Sequence, residues 1–131
     1  MIQILSAIAT AAILIIASIL LSKHFSSRLF AATILCSIAF IYVGFALMGN
    51  TVHSIELEVS VAVVFYFIAL IGYSYNNALI AYGIVLHGIW DLLHSGSLVK
   101  TNIPDYWPLY CLLVDFILGV YFFFAFRMKE K

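Results

Sequence analysis

A run of 22 residues without a charged side chain opens the sequence: MIQILSAIATAAILIIASILLS, residues 1–22. A helix that crosses the hydrocarbon core of a bilayer needs about 20 mostly apolar residues, and this run has that length and character. No Lys or Arg precedes it, and it is longer than the apolar part of a cleaved signal peptide, which spans about 7–15 residues. We therefore interpret it as a retained membrane-spanning helix.

Two more stretches, residues 29–55 and 59–90, contain no Lys, Arg, Asp or Glu. The first fits one span, and the second fits two spans separated by a polar turn at residues 73–77. A last apolar segment begins at Pro108. We predict an all-α fold, a polytopic membrane helix bundle in a single transmembrane domain at 1–131, because backbone polar groups in lipid must be satisfied within each segment. The five predicted helices are 2–22, 29–48, 55–72, 77–97 and 108–126.

The composition supports a membrane protein. Apolar residues make up 66% of the chain and charged residues 9%, whereas about 25% of a soluble domain is charged. Six basic residues balance six acidic ones, so the chain lacks the basic surface that nucleic-acid binding requires. These values argue against a soluble enzyme, a disordered chain and a nucleic-acid-binding protein. We expect a multi-pass protein of the cell membrane (plasma or inner membrane), surrounded by the lipid bilayer.

The positions of Lys and Arg predict the orientation of the bundle, because cytoplasmic loops carry an excess of both. With five spans and the N-terminus outside, five of the six basic residues lie in the cytoplasm and only Lys100 lies outside. The opposite orientation would invert this ratio. We therefore predict an outer N-terminus and an inner C-terminus.

Ionisable residues are concentrated in the predicted outer half of the bundle. On the fourth helix, His87, Asp91 and His94 are spaced by four and three residues, so they share one face. Asp115 of the fifth helix lies at the depth of Asp91, because the two helices run in opposite directions. A carboxylate in hydrocarbon costs at least about 2.5–3.5 kcal/mol. These positions therefore indicate either a functional pocket or a structural network in which His, Asp and Asn side chains satisfy each other between helices.

The third helix contributes candidate catalytic residues to the same pocket. His53, Glu56 and Ser60 share one face of this helix, and Glu58 points nearly opposite. Glu56 and Glu58 are both candidates for a catalytic base, but only one of them can point into the bundle. The other residues predicted to line the pocket are His53, Ser60, Asn50 and Trp90.

The excess of acidic groups in this pocket leaves three interpretations open. Protonated carboxyl groups, carboxylate–imidazolium pairs or a bound cation would each balance it. His87, Asp91, His94 and Asp115 offer mixed nitrogen and oxygen ligands, which suit a divalent metal such as zinc. A metal-bound water would then hydrolyse an ester or amide presented from the outer leaflet. The His-Glu-x-x-His motif of metalloproteases does not occur.

Three functions of different classes are consistent with these residues. The first is a metal-dependent hydrolase or lipid-modifying enzyme, and the second is a proton-coupled carrier or binding protein for small molecules. The third is a non-enzymatic bundle subunit that assists a partner. The expected ligand is a lipid or a small hydrophobic molecule. Because five short helices form a thin wall around a pocket, a homodimer or a membrane partner is a further expectation.

The sequence HGIWDLLH at residues 87–94 resembles a signature of small bacterial integral membrane proteins of unknown function, His-Gly-x-Trp-Asp-x-x-His. The resemblance covers about the last third of the chain and continues through Pro104, Trp107, Pro108, Cys111 and Asp115. It implies a membrane fold of four or five spans and no activity. Many members of that family have a second histidine where this chain has Ser95. A fainter similarity, in chemistry alone, is to the alkaline ceramidase and adiponectin-receptor-like hydrolases, which hold zinc by His and Asp within seven helices.

Overall fold

Five α-helices make up most of the computed structural model, which describes residues 1–49, 51–95, 99 and 101–129. The helices are α1 (Ile2–Leu21), α2 (Ser27–Leu47), α3 (Val52–Ser74), α4 (Asn77–Ser95) and α5 (Trp107–Lys129). All five are long and apolar enough to cross a membrane. The predicted all-α fold with five helices is therefore confirmed, whereas the orientation of the termini stays a prediction.

Capping side chains explain why two helices begin earlier than predicted. The side chain of Ser26 accepts a hydrogen bond of 3.1 Å from the backbone N–H three residues further on, and α2 begins at Ser27 rather than at position 29. Thr51 does the same at 3.3 Å, and α3 begins at Val52 rather than at position 55. Such caps satisfy backbone N–H groups that have no partner within the helix.

Short connections make successive helices antiparallel and give the bundle two distinct ends. The Met1 end carries the start of α1, the α2–α3 turn and the connection between α4 and α5. The opposite end, which we call the Lys23 end, also carries Arg28 and Arg127. The guanidinium of Arg28 donates a hydrogen bond of 3.1 Å to the backbone oxygen of Tyr73, near the end of α3. Cations at this position complement the free carbonyl groups of a helix C-terminus.

Helix α4 is the central element, since it packs against α5, α3 and α2, whereas α1 packs mainly against α5. Glycine residues allow the close contact of α4 with α5. A Cβ atom at Gly119 would collide with the side chain of Val85, and one at Gly88 would lie 3.3 Å from the Cβ atom of Asp115. Small residues at a helix interface let two backbones approach. Gly88 thereby brings the acidic residue of α5 against α4.

Apolar side chains fill the half of the bundle nearer the Lys23 end. Leu35, Ile80, Ile84, Leu118 and Phe122 are fully buried there and belong to one continuous core. The buried ionisable side chains of α3, α4 and α5 all lie closer to the Met1 end than this core does. Among the described residues, the buried ionisable side chains are therefore confined to one half of the bundle.

Candidate metal centre

Three of the four predicted metal ligands meet between α4 and α5. The Nδ1 atom of His87 lies 2.7 Å from Oδ2 of Asp115 and 3.8 Å from Oδ2 of Asp91. One ligand atom from each residue lies within 4.8 Å of the other two. None of the three residues is more than 1% exposed. We refer to His87, Asp91 and Asp115 as the His87 cluster.

The local structure accounts for this meeting. His87 and Asp91 are one helical turn apart on the buried face of α4. Asp115 lies opposite them because α5 packs closely at Gly88. Phe65 of α3 covers the imidazole of His87, with its ring centre 5.1 Å away. The cluster is thus enclosed by apolar contacts as well as by its own members.

The His87 cluster contains more hydrogen-bond acceptors than donors. Both carboxylate oxygens of Asp91 and Oδ1 of Asp115 are buried and have no hydrogen-bond partner among the described residues. The distance of 2.7 Å between Nδ1 of His87 and Oδ2 of Asp115 requires one hydrogen atom between them, and that hydrogen serves only the remaining carboxylate oxygen. A buried polar group left without a partner costs about 1–3 kcal/mol, and more if it is charged. The cluster therefore has room for a cation or for additional protons.

His94 lies outside the His87 cluster and pairs with Glu58 of α3. Its Nε2 atom lies 2.8 Å from Oε1 of Glu58, and its Nδ1 atom lies 3.1 Å from the backbone oxygen of Trp90. The Glu58 carboxyl group also accepts hydrogen bonds from the Thr101 hydroxyl and from Trp90 Nε1, the latter at 3.4 Å. Both ring nitrogens of His94 thus have partners, and His94 does not join the His87 cluster. We refer to His94 and Glu58 as the His94 pair.

The hydrogen-bond partners of His94 limit the His94 pair to two arrangements of its protons. The backbone oxygen of Trp90 can only accept, so Nδ1 of His94 carries a hydrogen. A distance of 2.8 Å between Nε2 and Glu58 requires one more hydrogen between them. The pair is therefore an imidazolium with a carboxylate, or a neutral imidazole with a carboxylic acid. In either form it holds one transferable proton.

Tyr42 of α2, which the sequence analysis did not select, lies between the His87 cluster and the His94 pair. Its ring centre is 4.4 Å from that of His94 and 5.9 Å from that of His87. Its hydroxyl approaches the Asp91 carboxyl group, but it forms no hydrogen bond of normal geometry with any described residue. A tyrosine in an apolar helix looks the same in sequence whether it faces lipid or a polar site, which is why no pattern identified it.

The orientation of α3 about its own axis decides which of its residues predicted for the pocket are buried. Glu58 is buried, whereas Glu56, His53 and Ser60 are exposed on the bundle surface. Glu58 faces inward, and positions two residues away point nearly opposite because each residue rotates the helix by about 100°. Glu56 thus does not reach the pocket as a base, and His53 and Ser60 do not line it. Asn50 lies outside the described residues.

A cavity of about 560 Å³ opens beside the His94 pair at the Met1 end. His94 and Thr101 form part of its wall, and the connection between α4 and α5 and the start of α5 complete it with Pro104, Asp105 and Pro108 among others. The His94 pair and Tyr42 lie between this cavity and the His87 cluster. A molecule entering from the Met1 end would meet the acid–base pair first and the cluster second.

Comparison with curated proteins and with solved structures finds no match. A protein-family model, described as a family of unknown function (DUF6010), matches residues 2–128. This match covers nearly the whole chain rather than its last third, and it includes every residue of the His87 cluster and the His94 pair. The chain therefore belongs to the DUF6010 family of unknown function.

Proposed function

We propose that this chain is a membrane-embedded metal-dependent hydrolase whose metal ion binds at the His87 cluster. The observation that carries this proposal is the set of three carboxylate oxygens, from Asp91 and Asp115, that are buried without a hydrogen-bond partner among the described residues. A divalent cation would neutralise both carboxylates and accept their free lone pairs. Ionisable residues within a membrane are expensive, so a site of this kind is a functional candidate by default.

The type of ligand favours a first-row metal ion of the zinc class. One imidazole and two carboxylates form a mixed nitrogen and oxygen set, which suits zinc and its neighbours better than calcium or magnesium. Three protein ligands leave a coordination position for water, as in hydrolytic zinc sites. A metal ion bound there would lower the pKa of its bound water to about 7 and so supply a nucleophile at neutral pH.

The His94 pair would supply the proton transfer that hydrolysis requires. It holds one proton between Nε2 of His94 and Oε1 of Glu58, and His94 lies in the cavity wall. Glu58 is engaged by three donors, so we assign it to orienting His94 rather than to acting as a free base. The proposed substrate is an ester or amide whose polar end enters the cavity.

The apolar half of the bundle favours an enzyme over the proton-coupled carrier. A carrier needs polar groups that lead from one membrane face to the other. From the His87 cluster towards the Lys23 end, the core between α2, α4 and α5 is formed by apolar side chains such as Ile84 and Leu118 in the described part of the chain. A polar site that lies in one half of the bundle suits binding and turnover.

Metal analysis of the detergent-purified protein tests this proposal. We expect one zinc-class ion per chain in the wild type and loss of that ion in Asp115→Asn. Glu56→Gln is the matched control, because it removes an exposed carboxylate of α3 and should retain the metal. Hydrolysis of a short-chain p-nitrophenyl ester should follow metal content across these three proteins. A folded wild type that takes up no metal after incubation with zinc would contradict the proposal.

A further inference from the structure

The hydroxyl of Tyr42 and the free carboxylate oxygens of the His87 cluster share one feature. Each is buried and has no hydrogen-bond partner among the described residues. These atoms come from three helices: Tyr42 from α2, Asp91 from α4 and Asp115 from α5. Tyr42 is only 1% exposed, so water at the surface of the bundle does not satisfy its hydroxyl. Asp91 and Asp115 belong to one cluster, and Tyr42 approaches Asp91. Unpartnered groups brought together from three helices indicate a ligand that contacts them.

The position of the hydroxyl is fixed by the packing of its ring. The Tyr42 ring lies against His94 at 4.4 Å and against the edge of Phe45 at 6.2 Å, measured between ring centres. The hydroxyl approaches the Asp91 carboxyl group without forming a hydrogen bond of normal geometry. A buried tyrosine normally finds a partner for its O–H. Phenylalanine would satisfy the same apolar contacts, so the packing does not explain the hydroxyl.

We infer that Tyr42 donates a hydrogen bond to a small ligand held by the metal ion of the His87 cluster. This inference rests on the proposed metal centre and extends it to a second contact with the ligand. The ligand class is a small anion or a carbonyl group, whose oxygen or nitrogen occupies the coordination position that the three protein ligands leave open. The His94 pair does not compete for this role, because its donors already have acceptors.

Azide binding to the cobalt-loaded protein tests the inference, with Tyr42→Phe as the variant. Cobalt reports the coordination of the metal by its visible spectrum, and azide is a small anionic ligand for the open position. We expect Tyr42→Phe to keep one cobalt ion per chain and to bind azide about tenfold more weakly, which is the effect of one hydrogen bond to a charged acceptor. Tyr66→Phe is the matched control, since Tyr66 is 44% exposed; its azide affinity should equal that of the wild type.

The other outcomes separate this inference from the proposed metal centre. A wild type that binds no cobalt refutes the metal centre and the role of Tyr42 with it. A cobalt-loaded Tyr42→Phe that binds azide as tightly as the wild type refutes the role of Tyr42 alone, and so does a variant that loses its cobalt. If the variant does not fold, the infrared band of azide bound to the wild type is compared in H2O and D2O. A shift supports a hydrogen bond to the ligand, and an unchanged band contradicts it.

Discussion

The two buried histidines of α4 are surrounded by similar types of residue, but the polar atoms around them differ in how many have hydrogen-bond partners. His87 and His94 lie on one face of the helix, and each contacts a carboxyl group from a neighbouring helix at 2.7 or 2.8 Å. Around His94, both ring nitrogens and both oxygens of Glu58 have partners. Around His87, three carboxylate oxygens have none within the described part of the chain. The balance of hydrogen-bond donors and acceptors, rather than residue type, distinguishes a network whose polar groups are all satisfied from a site that needs a ligand.

This contrast predicts that removing an acidic side chain destabilises the fold in the His94 pair and stabilises the metal-free fold in the His87 cluster. In the His94 pair, the acid is the common acceptor of several donors, so its loss leaves them unsatisfied. In the His87 cluster, an acid without donors opposes folding unless a cation is bound. Stability measurements on single variants therefore test the contrast directly.

The largest effect is expected for Glu58→Ala. This substitution removes the acceptor of His94, Thr101 and Trp90. Three buried or half-buried donors left without a partner cost about 3 kcal/mol or more in total, at about 1–3 kcal/mol each. We expect a loss of that size in the free energy of unfolding, measured by SDS titration in detergent micelles. Glu56→Ala, two residues away on the exposed face of α3, should change it by less than about 0.5 kcal/mol. Equal effects of the two substitutions would show that the His94 pair does not stabilise the bundle.

Asp91→Asn should instead increase the free energy of unfolding of the metal-free protein. The neutral amide removes a carboxylate whose two oxygens lack hydrogen-bond partners among the described residues, and it adds a donor to the cluster that contains Asp115. We expect a gain of about 1–3 kcal/mol in the free energy of unfolding. Asp105→Asn, at an exposed carboxylate of the connection, should leave that free energy nearly unchanged.

Metal addition completes the test of Asp91. A ligand that binds only the folded state at 100 times its Kd adds about 2.7 kcal/mol to stability. Zinc should therefore stabilise the wild type and have little effect on Asp91→Asn, as followed by the same unfolding titration. A metal-free Asp91→Asn less stable than the wild type would mean that Asp91 already has a partner and that the His87 cluster resembles the His94 pair.

The sequence was sufficient to predict the five helices and the meeting of the His87 cluster residues, because both depend on helical spacing. Long runs without charge defined five helices, and the interval between His87 and Asp91 placed both on one face of α4. Opposite directions of α4 and α5 then placed Asp115 at the same depth. Each of these steps uses only the rise and rotation of a helix.

The partner of His94 was not predictable in the same way, because it depends on how helices rotate against each other. Membrane helices are apolar on most faces, so their sequences do not mark the buried side. The spacing could not decide between Glu56 and Glu58, and it gave no reason to select Tyr42. Thr101 lies in the connection between α4 and α5, where no regular period relates sequence to position. Tertiary packing supplies all of these contacts.

The smallest expected effect concerns the link between the His94 pair and this connection. Thr101→Val keeps the shape of the side chain and removes one donor to Glu58, so we expect a loss of about 1–2 kcal/mol in the free energy of unfolding. The contact between His94 and Glu58 remains, and the His87 cluster is untouched, so metal content should stay at the wild-type value. Thr33→Val, at an exposed position of α2, is the matched control for stability. If Thr101→Val released the metal, the His94 pair and the His87 cluster would act as one unit. They would then form a single hydrogen-bond network that extends from the connection to Asp115.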